Sequence, residues 1–285
     1  MSAPASGGSP PLPWRAALVT GSSSGIGLAV ARRLASGGVG RLVLVARRAD
    51  RLAALAEELR SSWGTDVEVL VADLADRDPG PGGLAAVERR LADEAVPVDL
   101  LVNNAGLGTG GSFVDVDVDR YEHQVDVNVV AALRLLHAAV GPMVARGSGS
   151  VMNVASLAAW QPTPGSAVYA AGKSFVLSLS EAVHEELRGT GVTVTAVCPG
   201  FTRTEFLDAA GGEALLGSAP GFVWMSAESV ADAAVEATAV GRAVCVPGAG
   251  YRALALTSDL LPRSAKRRLM GFAQGKATRL ARRRR

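Results

Sequence analysis

The chain has 285 residues, of which 48% are hydrophobic, enough for a sizeable core in one large domain or two small ones. No uninterrupted apolar run reaches the roughly 20 residues that span a bilayer, which argues against a membrane-spanning segment. The net charge of +2 hides an asymmetry: ten Lys or Arg and no acid lie from Arg263 onward, leaving 19 basic against 27 acidic residues, or −8, in the body.

The first stretch, "MSAPASGGSPPLPW" (1–14), carries no side-chain charge and is rich in Pro, Gly and Ser. It has neither the basic start nor the apolar core of a secretory signal, and it reads as a disordered leader. After it, "RAALVT" (15–20) predicts a strand and "GIGLAVARRLASGG" a helix with a glycine stop. "RLVLVA" (41–46) and "VEVLVADL" (67–74) are strands on either side of the helix "RLAALAEELRSSW", with Asp50 as its expected N-cap. A helix is expected over 84–95, a strand over 98–104 and a long helix over 119–146. Further strands are "SVMNVAS" (150–156), "VTVTAVCP" (192–199) and "AVCVP" (243–247), with a helix from about 166 to 188.

Strands apolar on both faces, alternating with helices, indicate a parallel sheet covered on both sides, a doubly wound α/β fold of the Rossmann type. The expected organisation is the leader, one α/β domain over 15–250, and a basic extension over 251–285. Cys198 and Cys245 lie in short apolar runs and read as buried small hydrophobes rather than a disulfide. His123, His137 and His184 are far apart and show no metal spacing. These features suit a reducing, cytoplasmic setting.

Three stretches carry chemistry. "TGSSSGIG" (20–27) joins the first strand to the first helix. Gly21 permits a tight turn, and Gly25 and Gly27 let the backbone approach a pyrophosphate held at the helix N-terminus. Ser23, Ser24 and Ile26 belong to the same turn. The end of the second strand, about 20 residues on, reads "VARRAD". Arg47 and Arg48 there, with no acid at the strand end, fit a 2′-phosphate and favour NADP(H) over NAD(H). "YAAGK" (169–173) places Tyr169 and Lys173 on one helix face. The ammonium is expected to lower the phenol's pKa, and the small residues between them to let cofactor and substrate come close.

With these stretches, "ADL" (72–74), "NNAG" (103–106), Asn128, Ser156 and "PGFTRTEF" (199–206), the chain resembles the short-chain dehydrogenase/reductase family over roughly 15–250. Through "LVARRADRL" and "WMSAESVA" it is most similar to the keto and acyl reductases of that family. The resemblance implies a seven-stranded sheet, a nicotinamide cofactor, hydride transfer between a carbonyl and an alcohol, and a homodimer or homotetramer. Asp73 and Leu74 would meet the adenine. Asn103, Ala105 and Gly106 would lie along the cofactor, and Pro199, Gly200, Thr202 and Thr204 would hold the nicotinamide carboxamide and phosphates. Tyr169 would donate the proton, Lys173 would also hold the nicotinamide ribose, Ser156 would polarise the carbonyl, and Asn128 would anchor a water that relays protons to Lys173.

Leu107, Phe113, Trp160, Phe201, Phe206 and Trp224 would line an apolar substrate pocket for a keto or 3-ketoacyl compound. The competing class is an NADP(H)-binding regulator without turnover, which would be expected to lack the Tyr or the Lys. The tail reads as a solvated basic extension. Its second reading is a weak contact with anionic lipid through a helix started by Pro262 and lined by Leu269, Phe272 and Leu280. Nucleic acid is disfavoured as a partner, because aromatics for base stacking do not interleave with the basic residues.

Overall fold

The computed structural model describes residues 11–206, 221–260, 262, 264–268 and 271. Seven strands form one all-parallel sheet in the order β3-β2-β1-β4-β5-β6-β7. They are β1 (Ala16–Thr20), β2 (Arg41–Ala46), β3 (Asp66–Val71), β4 (Leu100–Asn103), β5 (Gly149–Val154), β6 (Val192–Val197) and β7 (Val244–Cys245). The central strands are buried on both faces, and side-chain alternation splits them between two cores. Ala17 and Val19 of β1 point into one core and Leu18 into the other.

The first core is closed by α1 (Gly25–Ser36), α2 (Ala49–Trp63) and α7 (Ala227–Ala239), through Val30, Leu34, Leu52, Leu59 and Val235. The second is closed by α3 (Leu84–Leu91), α5 (Ala132–Arg146) and α6 (Ala167–Glu186), through Leu84, Val87, Leu135 and Met143. α8 (Ala249–Leu260) follows β7. The strand order reverses between β1 and β4, so the loops after those two strands diverge and leave a crevice at their carboxyl ends. The glycine turn, both Asn-rich and Pro-Gly loops, and Ser156 all follow strand ends on that edge.

Several details depart from the sequence reading. Leu12 and Trp14 do not belong to a disordered leader: Trp14 is buried in the first core and Leu12 packs against it. A Trp side chain buries a large apolar area, which holds the chain down just before β1. Asp50 is not the N-cap of α2; that position is Arg48, and Asp50 sits in the first turn. The long helix over 119–146 is built from α4 (Val118–Val125), a π-helical stretch (Asp126–Ala131) and α5. By length and composition Val118–Arg146 could cross a membrane. Here it is the β4–β5 crossover, and Leu135, Leu136, Ala139 and Met143 of α5 pack on the sheet. The helix expected over 84–95 stops at Leu91.

A buried polar chain ties the middle of the sheet to α6. Asn103 Nδ2 donates to Asn153 Oδ1 at 3.0 Å and to the Ala132 carbonyl at 3.1 Å, and Asn153 Nδ2 donates to Ser180 Oγ at 2.9 Å. Buried polar groups that lose a partner keep their desolvation cost. Asn153→Ala should therefore lower stability by about 1–3 kcal/mol, read as a fall in the urea midpoint with an unchanged slope. An unchanged midpoint would remove this network from the account.

Candidate active site

The glycine turn is held from below by β4. Thr20 Oγ1 donates to the Val102 carbonyl at 3.2 Å and accepts from the backbone N–H groups of Asn104 and Ala105, each at 3.0 Å. Asn104 Nδ2 donates to the Thr20 carbonyl at 2.9 Å and the Gly21 carbonyl at 3.3 Å. Gly21 (φ 66°) and Gly25 (φ 56°) are left-handed, which side chains disfavour. A Cβ on Gly27 would overlap Asn104 Nδ2 and the Gly21 carbonyl, and one on Gly25 would press on Thr204 Cγ2 at 3.1 Å. The first helical turn has no acid, and the N-cap Ser24 makes no side-chain cap. Its hydroxyl instead accepts from Arg48 Nη2 at 2.8 Å. The positive end of α1 is thus left to an anion.

The two arginines expected to act together part company. Arg48 turns to the glycine turn, donating to Ser23 Oγ at 3.1 and 2.9 Å as well as to Ser24. Arg47 turns the other way, 3.7 Å from Asp73 Oδ2. Asp73 Oδ1 accepts from the Ala75 N–H at 3.0 Å, which shapes the turn after β3, while Leu74 is buried beneath. Sequence reasoning missed Arg51, three residues after Arg48 on the first turns of α2. Its guanidinium meets Glu205, which also accepts from Arg48. The i, i+3 spacing was the available signal.

At the end of β5, Ser156, Tyr169 and Lys173 converge. Lys173 is 5% exposed, and its Nζ donates to the Val154 carbonyl at 2.6 Å and lies 5.8 Å from the centre of the Tyr169 ring. Burial pushes its pKa down to about 8. Tyr169 keeps part of its ring open, but burial around the hydroxyl pushes its pKa above the ordinary phenol value. The group that opposes this is the Ser156 hydroxyl, as a hydrogen-bond partner, rather than Lys173. The expectation that Lys173 acidifies Tyr169 is therefore corrected for the ligand-free protein: the loss of water outweighs the neighbouring ammonium, whose own charged form burial disfavours. Cys198, also buried, has its thiol pushed further toward the neutral form.

Two of the small residues of "YAAGK", Ala170 and Gly172, are buried in packing, while Ala171 is exposed. Ala170 is buried against the core, and a Cβ on Gly172 would sit 3.2 Å from Val129 Cγ2 on the π-helical stretch. Gly172 lets α6 lie close to that stretch. Asn128 lies within it, and both ends of its amide are engaged: Oδ1 accepts from the Leu107 N–H and Nδ2 donates to the Leu107 carbonyl, each at 2.8 Å. Its side chain fixes the loop after Gly106. A Cβ on Gly106 would lie 3.4 Å from Asn128 Oδ1 and 3.5 Å from Lys173 Nζ, so Gly106 keeps that corner open. Asn103 points its side chain into the buried network, so its backbone alone is left for a cofactor.

The loop after β6 closes the crevice. The Pro199 carbonyl accepts from Leu157 N–H at 3.0 Å, and Thr202 Oγ1 donates to the Gly200 carbonyl at 3.1 Å. Gly200 packs on the Tyr251 ring, where a Cβ would overlap it. Tyr251 donates to the Val223 carbonyl at 2.6 Å and accepts from Phe201 N–H at 3.1 Å. This buttress from α8 was also missed by sequence reasoning, which placed residue 251 outside the catalytic domain. Phe206 packs on Tyr169 with ring centres 5.4 Å apart; Phe201 pairs with Trp224 at 6.0 Å, and Phe113 stacks on Tyr121 at 5.4 Å. Of the six expected pocket residues, Phe206 is thus seated against the Tyr169 ring. Leu269, Phe272 and Leu280 lie outside the described residues; Lys266, in a helical turn over 264–268, donates to the Trp160 carbonyl at 3.4 Å.

The depressed Lys173 pKa has a stability consequence. The unfolded chain binds the lysine proton up to the ordinary value of 10.5, and the folded chain only up to about 8. The folded state therefore carries a penalty of about 3 kcal/mol at neutral pH, which fades as pH rises through that window. Lys173→Met should raise the Tm relative to the parent protein most at about pH 7, with the difference shrinking toward about pH 10.5. A difference that does not change with pH would mean that Lys173 is not held in a desolvated site.

Against known proteins, the sequence model of the short chain dehydrogenases matches residues 15–213. An uncharacterized oxidoreductase of Staphylococcus saprophyticus is 33% identical over 190 residues, covering 67% of this chain and 79% of that one. A short-chain dehydrogenase from Sphingobium yanoikuyae, solved in complex with NADPH, superposes with a TM-score of 0.76 at 37% identity, covering 90% of this chain and 95% of the other. The bulky-bulky ketone specific alcohol dehydrogenase of Comamonas testosteroni superposes with a TM-score of 0.73 at 32% identity, covering 90% and 94%. The matched span contains the glycine turn and the Ser156, Tyr169 and Lys173 cluster, and the chain belongs to the short-chain dehydrogenase/reductase family of NAD(P)-dependent oxidoreductases.

Proposed function

We propose that the protein is an NADP(H)-dependent reductase of bulky apolar ketones or 3-ketoacyl compounds. The observation that carries this reading is the pairing of a cation-lined ribose end, Arg48 forked onto Ser23 and Ser24, with a desolvated Tyr169 seated between Ser156 and Phe206. The residues present fit the cofactor. The glycine turn forms a cradle that side chains would fill, and the start of α1 has no cap of its own. The backbone from Gly21 to Gly27 would hold the pyrophosphate. Arg48, with Arg47 and Arg51 beside it, would hold the 2′-phosphate. Asp73 and Leu74 would border the adenine. Ala105, Gly106 and the Asn103 backbone would lie along the ribose, which Lys173 would also hold. Pro199, Gly200, Thr202 and Thr204 would enclose the nicotinamide end. The solved relative from Sphingobium yanoikuyae, with NADPH bound, supports the choice of cofactor.

When bound, the nicotinamide supplies the hydride. Ser156 Oγ holds the substrate oxygen, and Tyr169 Oη donates the proton that this oxygen gains. A phenol pushed above its ordinary pKa is protonated at neutral pH, the form that reduction needs. Lys173 stabilises the phenolate left behind and returns a proton toward it. Asn128 keeps the Leu107 backbone, and with it the floor beside Lys173, in place. Phe206 against Tyr169, with Phe201 and Trp224 paired nearby in sequence, supports an apolar substrate. The ketone specificity in the name of the Comamonas testosteroni relative agrees. We further propose a homodimer or homotetramer, which would cover exposed apolar residues such as Leu133 and Phe175 on α5 and α6.

An NADPH-oxidation screen over bulky ketones, aldehydes and 3-ketoacyl thioesters tests the substrate class. NADPH binding with no oxidation by any of them would favour a regulator instead. Tyr169→Phe should cut turnover by about two to four orders of magnitude while NADPH binding, followed by its fluorescence, is retained. Retention of most of the parent rate would take Tyr169 out of the chemistry. Arg48→Ala should raise the KM for NADPH by about tenfold to a hundredfold and leave that for NADH nearly unchanged. Equal efficiency of the parent enzyme with both cofactors would refute the NADP(H) reading.

A further inference from the structure

The segment after β6 reaches unusually far. In the sheet, β6 stands four strand positions from β2, roughly 19 Å along the carboxyl edge. Yet Glu205, eight residues beyond the end of β6, sits on the two arginines that follow β2. Its Oε2 accepts from Arg48 Nη1 at 2.9 Å, and its Oε1 and Oε2 accept from Arg51 Nη1 at 2.7 and 2.9 Å. The stretch 200–206 is therefore a strap across the crevice, anchored at its far end on cations. Along it, Thr204 lies over Gly25, where there is no room for a side chain, and Phe206 packs on Tyr169.

The same Arg48 is forked onto Ser23 and Ser24 of the glycine turn. A carboxylate thus takes two guanidinium groups, one of which also reaches the two hydroxyls of the glycine turn, and paired guanidinium groups suit a phosphate monoester. We propose that Glu205 is an internal competitor for the 2′-phosphate of NADP(H): it neutralises the Arg48–Arg51 pair in the free protein, yields it when the phosphate binds, and so sets how strongly the enzyme prefers NADP(H) over NAD(H).

This inference rests on the cofactor reading above. The competition is winnable because the contacts are solvent-exposed. The side chains of Arg48, Arg51 and Glu205 are 40%, 43% and 52% exposed, and ion pairs of that kind hold weakly. A phosphate monoester brings close to two negative charges and three acceptor oxygens against the single charge of Glu205. The two arginines hold the Glu205 carboxyl below the usual range, so it stays ionised at neutral pH and competes throughout the working range. NAD(H), which has a hydroxyl at that position, does not need the arginines and does not meet the competitor.

The test is titration calorimetry of the full-length protein with NADP+ and with NAD+. Glu205→Gln should bind NADP+ about threefold to tenfold more tightly than the parent, with the NAD+ Kd unchanged. Glu205→Ala should do the same. Adding Glu205→Gln to an Arg48→Ala/Arg51→Ala protein should give no gain, because nothing is left to compete for. Unchanged or weaker NADP+ binding in both Glu205 variants, with the parent still preferring NADP+, would overturn the proposal and leave the cofactor reading intact. A loss of NAD+ affinity would overturn it too, since Glu205 would then be a ribose ligand. A parent that binds both cofactors equally would defeat the cofactor reading, and this proposal with it. Melting curves within about a degree of the parent keep the comparison free of folding effects, because all three side chains lie at the surface.

Discussion

Desolvation of Lys173 is the constraint around which the rest of the site is organised. An ammonium that is 5% exposed, with its Nζ on the Val154 carbonyl, is costly to hold at neutral pH. The fold holds it there because α6 is locked to β5 and to the π-helical stretch. Gly172 permits the close approach to Val129, and Val176 and Leu177, one turn on from Lys173, pack with Ala155, Ala196 and Cys198. The same locking removes water from around the Tyr169 hydroxyl, so two proton-carrying groups have their charged forms disfavoured together. In the free protein the tyrosine is therefore kept neutral, while the lysine stays protonated at neutral pH and gives up its charge at about 8. This is a site prepared to release a phenolic proton only when something else in the crevice stabilises the resulting anion.

Around that dry centre, the wetter half of the crevice is built from backbone and cations. Thr20 and Asn104 knot the ends of β1 and β4, and the Gly21 and Ser22 N–H groups tie the turn to the Val45 carbonyl of β2. Ser24 gives its hydroxyl to Arg48 instead of capping α1. The start of α1 is thereby left without a side-chain cap, the end of a helix that favours an anion. The strap over 200–206 joins the two halves, from Tyr251 behind Gly200, past Thr204 on Gly25, to Glu205 on the arginines.

The α/β order, the site-bearing loops and the cluster of Ser156, Tyr169 and Lys173 were legible in the sequence. Alternation of apolar strands with helices follows from local physics, and the motifs are contiguous. What was not legible depends on contacts between distant segments. The roles of Arg47 and Arg48 could not be separated by adjacency, because Asp73 and the glycine turn, which draw them apart, come from different loops. The packing of Gly172 on Val129 could not be read from "YAAGK", because Val129 comes from a distant stretch of the chain. The expected acidification of Tyr169 considered a charge four residues away and not the water that folding removes. The π-helical turn at Asn128 and its two bonds to Leu107 were hidden for the same reason, since they form only once the loop after β4 is in place.

The central claim is that burial, rather than the neighbouring lysine, governs Tyr169 in the free protein. The chain has three tyrosines, so labelling the ring carbon that bears the hydroxyl gives three NMR signals, assignable by single Tyr→Phe changes. Their chemical shifts across a pH titration report ionisation directly. The account predicts that Tyr169 ionises above the ordinary phenol value of about 10 in the ligand-free protein. A Tyr169 midpoint below that value would show that Lys173 dominates and would contradict the account.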